Sequence, residues 1–87
     1  ADVRSYHGEA EAVKRALKFL VQGKKDDAQA ELEAAEMERL KAANDRKLGA
    51  IGLAKLREEH AGYLETQAKR LKEQAKALET AIKKTKK

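Results

Sequence analysis

Apolar residues near the start of the chain fall at Val13, Ala16, Leu17 and Leu20, positions i, i+3, i+4 and i+7, which lie on one face of a helix. The pattern predicts a first helix over 8–22. Phe19 and Val21 lie off that stripe, so the helix is expected to be covered on more than one side. Gly23 can take the left-handed backbone that ends a helix, and Lys24 and Lys25 suit its negative end. Asp26 or Asp27 can then accept from the free amides of a second helix, predicted over 27–43, that buries Ala28, Leu32, Ala35 and Leu40. Asn44-Asp45 offers a stop and a fresh cap, which predicts a turn at 44–46. The competing reading is one unbroken helix over 27–84, since neither Pro nor Gly sits at the joint.

The last stretch predicts a third helix over 47–84. Gly49 and Gly52 fall at its start, consistent with a later helix start or with a close helix crossing. Beyond them runs a stripe of Leu53, Leu56, His60, Tyr63, Leu64, Ala68, Leu71, Ala75, Leu78 and Ile82. From Leu64 its spacing is 4, 3, 4, 3, 4, the seam of a coiled coil. This helix would be about 57 Å long and the second about 26 Å at 1.5 Å per residue. Folded back on the second helix, the third would overhang beyond about Leu71, and its unpaired seam of Leu71, Ala75, Leu78 and Ile82 predicts a partner helix. The fold class is all-α: an antiparallel helical hairpin or three-helix bundle, a single domain over 1–87, with a long C-terminal helix of coiled-coil character.

Composition narrows this. The chain of 87 residues has no Cys, Pro or Trp, so it has neither a disulfide framework nor a cysteine metal site. Of its apolar residues 17 are Ala, which leaves a thin set of larger side chains for a core and makes association with a partner helpful. No apolar run is long enough for a membrane span and the N-terminus lacks the order of a signal peptide, so the chain reads as intracellular and cytoplasmic. The net charge of +5 is unevenly spread: residues 26–38 carry six acidic and no basic residues, while 69–87 carry eight basic and two acidic. That asymmetry is the strongest global feature of the sequence.

Ala16, Phe19, Gly23, Ala28, Leu32 and Ala35 stand where a tetratricopeptide helix pair places its small, aromatic, glycine, small, bulky and small residues, but the following proline and any second copy are absent. The same hairpin spacing, together with "LREEHAGYLETQAKRLKE" over 56–73, resembles the microtubule-interacting and trafficking (MIT) domain, a three-helix bundle, across residues 9–73. Lys25 and Leu32 depart from its usual aromatics, and one extra residue separates Tyr63-Leu64 from Leu71-Lys72-Glu73. The resemblance implies an adaptor that takes a helical peptide into the groove between its second and third helices. On this chain Met37, Leu40, Leu56 and Tyr63 would line that groove, with Arg57 at its rim.

Catalytic chemistry finds little support. His7 and His60 lack a second histidine or carboxylate at metal-ligand spacing, and His60, on the apolar stripe, is expected in the core or an interface. No cofactor is expected. The expected function is therefore a non-enzymatic protein–protein interaction module. A second reading is a homodimer in which the continuous 27–84 helix pairs antiparallel, setting the acidic segment of one chain beside the basic segment of the other. A third is a basic helix binding nucleic acid, with Lys69, Arg70, Lys72, Lys76, Lys83 and Lys84 neutralising phosphates. Glu73 and Glu79 interrupt that face, and it offers no aromatic residue to stack on a base.

Overall fold

The computed structural model describes the backbone of residues 3–84 and the side chains of 10–84. Two helices, α1 (Val3–Lys47) and α2 (Ile51–Lys84), pack antiparallel as a hairpin with Cα extents of 72 × 14 × 13 Å. The three-helix bundle is not the fold adopted, because the segments predicted over 8–22 and 27–43 are parts of one helix.

Gly23 does not stop that helix. Its propensity to end a helix is local and worth about 1 kcal/mol, whereas the buried seam runs straight through it: Val21, Ala28, Ala35 and Ala42 recur every seventh residue on α1. A Cβ added at Gly23 would meet nothing within 4 Å. Gly23→Ala is therefore expected to raise the unfolding free energy by about 0.5–1 kcal/mol in urea titrations. A loss of stability would instead mark Gly23 as a helix terminus.

The facing helix repeats the pattern with Ala54, Ala61, Ala68, Ala75 and Ile82. Seven of the nine buried hydrophobic residues are thus alanine, and none of the buried residues is polar. With only a methyl group at these positions the backbones can approach closely, and the alternate seam positions carry the longer side chains around the contact. On α2 these are Arg57, Leu64, Leu71 and Leu78, all half-buried. On α1 they are Leu17, Lys24, Glu31, Glu38 and Asp45, equally half-buried; the stems of Lys24 and Glu31 can cover the alanines while their charged ends reach water.

Larger apolar side chains gather at the open end, where Val21, Ala75 and Ile82 form a cluster flanked by Leu17 and Leu78. The seam of Leu71, Ala75, Leu78 and Ile82 therefore has its partner helix within the chain. It overhangs nothing, because α1 continues back past Gly23 to cover it.

The reversal lies at 48–50 and not at 44–46. Gly49 has φ +82°. Its amide donates to the Arg46 carbonyl (3.1 Å), and the Ala50 amide donates to the Asp45 carbonyl (2.8 Å). This pair of bonds around a left-handed glycine satisfies the last carbonyls of α1 and turns the chain sharply. Asp45, expected to cap a new helix, instead accepts from Arg57 Nε at 2.6 Å across the hairpin. The continuous 27–84 helix is not the fold adopted.

Candidate functional site

Ion pairs fix the register. Arg46 makes a two-pronged contact with Glu58 (3.1 and 2.6 Å), Arg39 makes the same contact with Glu65 (3.1 and 2.5 Å), and Lys25 meets Glu79 at 2.7 Å. From the first pair to the second both helices step by one heptad, and to the third by two more. Leu32 and Lys72 occupy the rung that the ladder skips. On the other flank Glu38 meets Arg57 at 3.7 Å and His60 Nδ1 at 3.4 Å. His60 is thus at the exposed flank of the seam and not in the core. His7 lies outside the described side chains.

These bonds hold the Glu58, Glu65 and Glu79 carboxyls below the ordinary glutamate value of 4.5, through hydrogen bonds from Arg46, Arg39 and Lys25 respectively and the attraction of the same cations. A depressed folded-state pKa adds stability above the unfolded value and loses it as pH falls through the folded one. Thermal midpoints followed by circular dichroism are therefore expected to fall as pH drops below 4.5. A variant with Glu58, Glu65 and Glu79 all changed to Gln is expected to show a shallower acid decline.

The ladder puts the acidic run 26–38 between Arg39–Glu65 and Lys25–Glu79, and so opposite the stretch of α2 that holds Lys69, Arg70, Lys72 and Lys76. Even so, none of Asp26, Asp27, Glu31, Glu33 and Glu36 forms an ion pair among the described residues. Asp26 and Glu33 accept only from Gln22 and Gln29 on their own helix. Nor does Lys69, Arg70, Lys72, Lys76, Lys83 or Lys84 bridge to a described carboxylate, and all six are exposed.

The residues expected to line a peptide groove are not arranged as one. Met37, Leu40, Leu56 and Tyr63 are exposed, and the alanines at 35, 42, 54 and 61 close the space between the helices beside them. Arg57 is engaged with Asp45 and Glu38. Leu71, Leu78 and Ile82 face the seam and serve the hairpin itself.

A different surface stands out, on a flank of α1 that α2 leaves uncovered. Heptad spacing brings Val13, Ala16, Leu20, Gly23, Asp27, Ala30, Ala34 and Met37 onto one face, apolar but for Asp27 and with Phe19 beside it, and all are exposed. Phe19 is 84% exposed, the most of any large apolar side chain described. Gly23 leaves a hollow on either side of it. One, of about 540 Å³, is lined by Ala16, Phe19, Leu20, Gly23, Lys24 and Asp27, and the other, of about 290 Å³, by Lys18, Phe19, Gln22, Gly23 and Asp26. The sequence grouped Val13, Ala16, Leu17 and Leu20 as one apolar face, and of these Leu17 joins the seam. What it missed is that α1 carries two seven-residue patterns, of which α2 covers only one. Outer positions of α2 are largely basic: Lys55, Lys69, Lys76 and Lys83 share one heptad position.

Among the described residues no group of three or more His, Asp or Glu side chains is placed to hold a metal ion, and no helix is long and apolar enough to cross a membrane. No protein-family model, curated protein or solved structure matches the chain.

Proposed function

We propose that the hairpin is a non-enzymatic interaction module that presents the outer face of α1 to a partner helix. The observation that carries this reading is Phe19, held on a helix at 84% exposure between two hollows, beside the apolar positions Val13, Leu20 and Met37. A bare aromatic on a row of small residues costs solubility and contributes nothing to the hairpin, whereas against a second helix it supplies the apolar anchor on which most helix-in-groove affinity depends. The reading rests on this face and not on the resemblance to MIT domains, whose three-helix groove the hairpin lacks.

The test is a photoreactive benzoyl-phenylalanine at position 19, expressed in the cells from which the chain comes. Irradiation is expected to yield a covalent adduct with a polypeptide, and the same group at exposed Ala77 on α2 is expected to yield none. An adduct at 77 alone, or at neither position, overturns the reading.

A further inference from the structure

Cations without a salt bridge collect on the flank of the hairpin that carries the ladder. Lys72 stands in the skipped rung opposite Leu32, with no carboxylate to meet. Lys55, Lys69, Lys76 and Lys83 each lie three residues before or four after a ladder position of α2, so they form a second row on the same flank. Arg15 and Lys18 extend the flank along α1 toward the open end. There Lys18 and Lys83 line one hollow of about 360 Å³ together with Gln22, Glu79, Val21 and Ile82. The charges of Lys55 and Lys83 also add to the attraction that lowers the Glu58 and Glu79 carboxyls.

Acidic residues do not offset this charge. The ladder positions of both helices and the rows beside them hold ten Lys or Arg and five Glu among the described residues. Glu58, Glu65 and Glu79 are engaged in the ladder and Glu11 lies 3.9 Å from Lys14, which leaves Glu36 without a cation. The rest of the acidic run points elsewhere by its heptad positions. Asp26 and Glu33 fall on the back of α1, and Asp27, Glu31 and Glu38 on the opposite flank, where Glu38 meets Arg57 and His60. Glu73, which interrupts the lysines in sequence, shares the back of α2 with Thr66 and Thr80.

We infer that this flank binds the phosphate backbone of duplex DNA, laid lengthwise along the hairpin and held without regard to base sequence. The inference stands apart from the binding of a partner helix, which uses the opposite flank.

The shape and chemistry of the stripe select this occupant. From Lys55 to Lys83 it runs straight for about 42 Å at 1.5 Å per residue, and a duplex is straight over that length because it bends only over about 500 Å. The flank offers no aromatic side chain, on which a single strand would stack. Its large apolar residues are Leu32 and Ile51, too few to enter a lipid surface. Five of its seven cations without a salt bridge are lysines on α2, point charges that suit phosphate and lack the planar fork that reads a guanine edge.

Fluorescence anisotropy with a labelled DNA duplex of about 30 base pairs, titrated with the whole chain, tests this. Binding is expected at about 50 mM salt, to weaken several hundredfold by about 200 mM, and to be equal for duplexes of unrelated sequence. Changing Lys69, Lys76 and Lys83 together to Gln is expected to weaken it by about thirtyfold or more and to lower the salt slope by about 3. Changing Lys41, Arg70 and Lys84 together to Gln removes the same charge away from the flank and is expected to weaken binding less than about threefold. All six side chains are exposed, so circular dichroism is expected to be unchanged in both variants.

Absence of binding at about 50 mM salt overturns the inference, and equal losses in the two variants do so by showing that net charge and not the flank is felt. Polyglutamate is expected to compete poorly, since a duplex carries one charge per about 1.7 Å and an extended polypeptide at most one per about 3.3 Å. Competition by polyglutamate as strong as that of unlabelled duplex would assign the flank to an acidic polypeptide and end the proposal.

Discussion

Ala61→Leu is expected to lower the unfolding free energy by about 1–3 kcal/mol, although it adds apolar surface in a helix that tolerates leucine well. Ala61 is 0% exposed, and Ala54 and Ala68, one heptad to either side, are equally closed. Three extra carbons can be admitted only if the backbones separate locally. The flanking alanine layers would then lose the close contact that their small size allows, and water would reach backbone atoms that are dry in the parent. Urea unfolding followed by circular dichroism measures the effect, with Ala77→Leu as the comparison. Ala77 is exposed on the same helix, so its substitution adds the same atoms and should change stability by less than about 0.5 kcal/mol. Equal effects at the two sites would show that the seam is not closed at Ala61.

Gly49→Val is expected to cost about 1–2 kcal/mol or more, and to do so through the backbone alone. A Cβ at this residue would meet nothing within 4 Å, so no clash opposes the substitution. What opposes it is φ +82°, a conformation in which an L-residue brings its Cβ against the carbonyl and which a β-branched side chain tolerates least. Gly49→Asn is expected to recover much of the loss, because asparagine enters the left-handed region most readily after glycine. Stability measured for the pair separates this cause from packing. If valine and asparagine destabilise equally, the left-handed geometry is not what the position requires.

The all-helical class, the hairpin and the C-terminal half of the seam were legible because Leu64, Leu71, Leu78 and Ile82 are large and, with Ala68 and Ala75, keep the 4, 3 spacing of a seam. The other half was legible only in part. Ala28 and Ala35 were expected to be buried and are, but Leu40, expected beside them, is exposed, and Ala42, at the same seven-residue spacing, was not picked out because alanine is common in every helical context. In the structure it makes up most of that core. Gly23 followed by Asp26 and Asp27 matches the chemistry of a helix end and a new start, and that local preference was outweighed by a seam that gains from continuing. Gly49 carried the stronger signal. It differs from Gly23 in following Arg46 and Lys47 at the end of the alanine series, where no further seam residue waits. The outer face of α1 was half legible: Val13, Ala16 and Leu20 were grouped and cover on more than one side was expected, but Leu17, grouped with them, belongs to the seam.

The distribution of core side-chain size also bears on how the chain reaches this shape. Ala42 and Ala54, beside the turn, are 12 residues apart in sequence, whereas Val21 and Ile82 are separated by 61. Closing the longer loop costs about 1.4 kcal/mol more chain entropy than closing the shorter. The contacts with most apolar area thus sit where closure is least favourable, and the smallest contacts sit where it is nearly free. Assembly is expected to proceed as a zipper from Gly49, with alanine layers joining in sequence and Val21, Leu17, Leu78 and Ile82 latching last. Amide exchange in the native state should rise steeply toward the open end in any variant that trims the latch, such as Ile82→Ala, while the layers near the turn keep their protection.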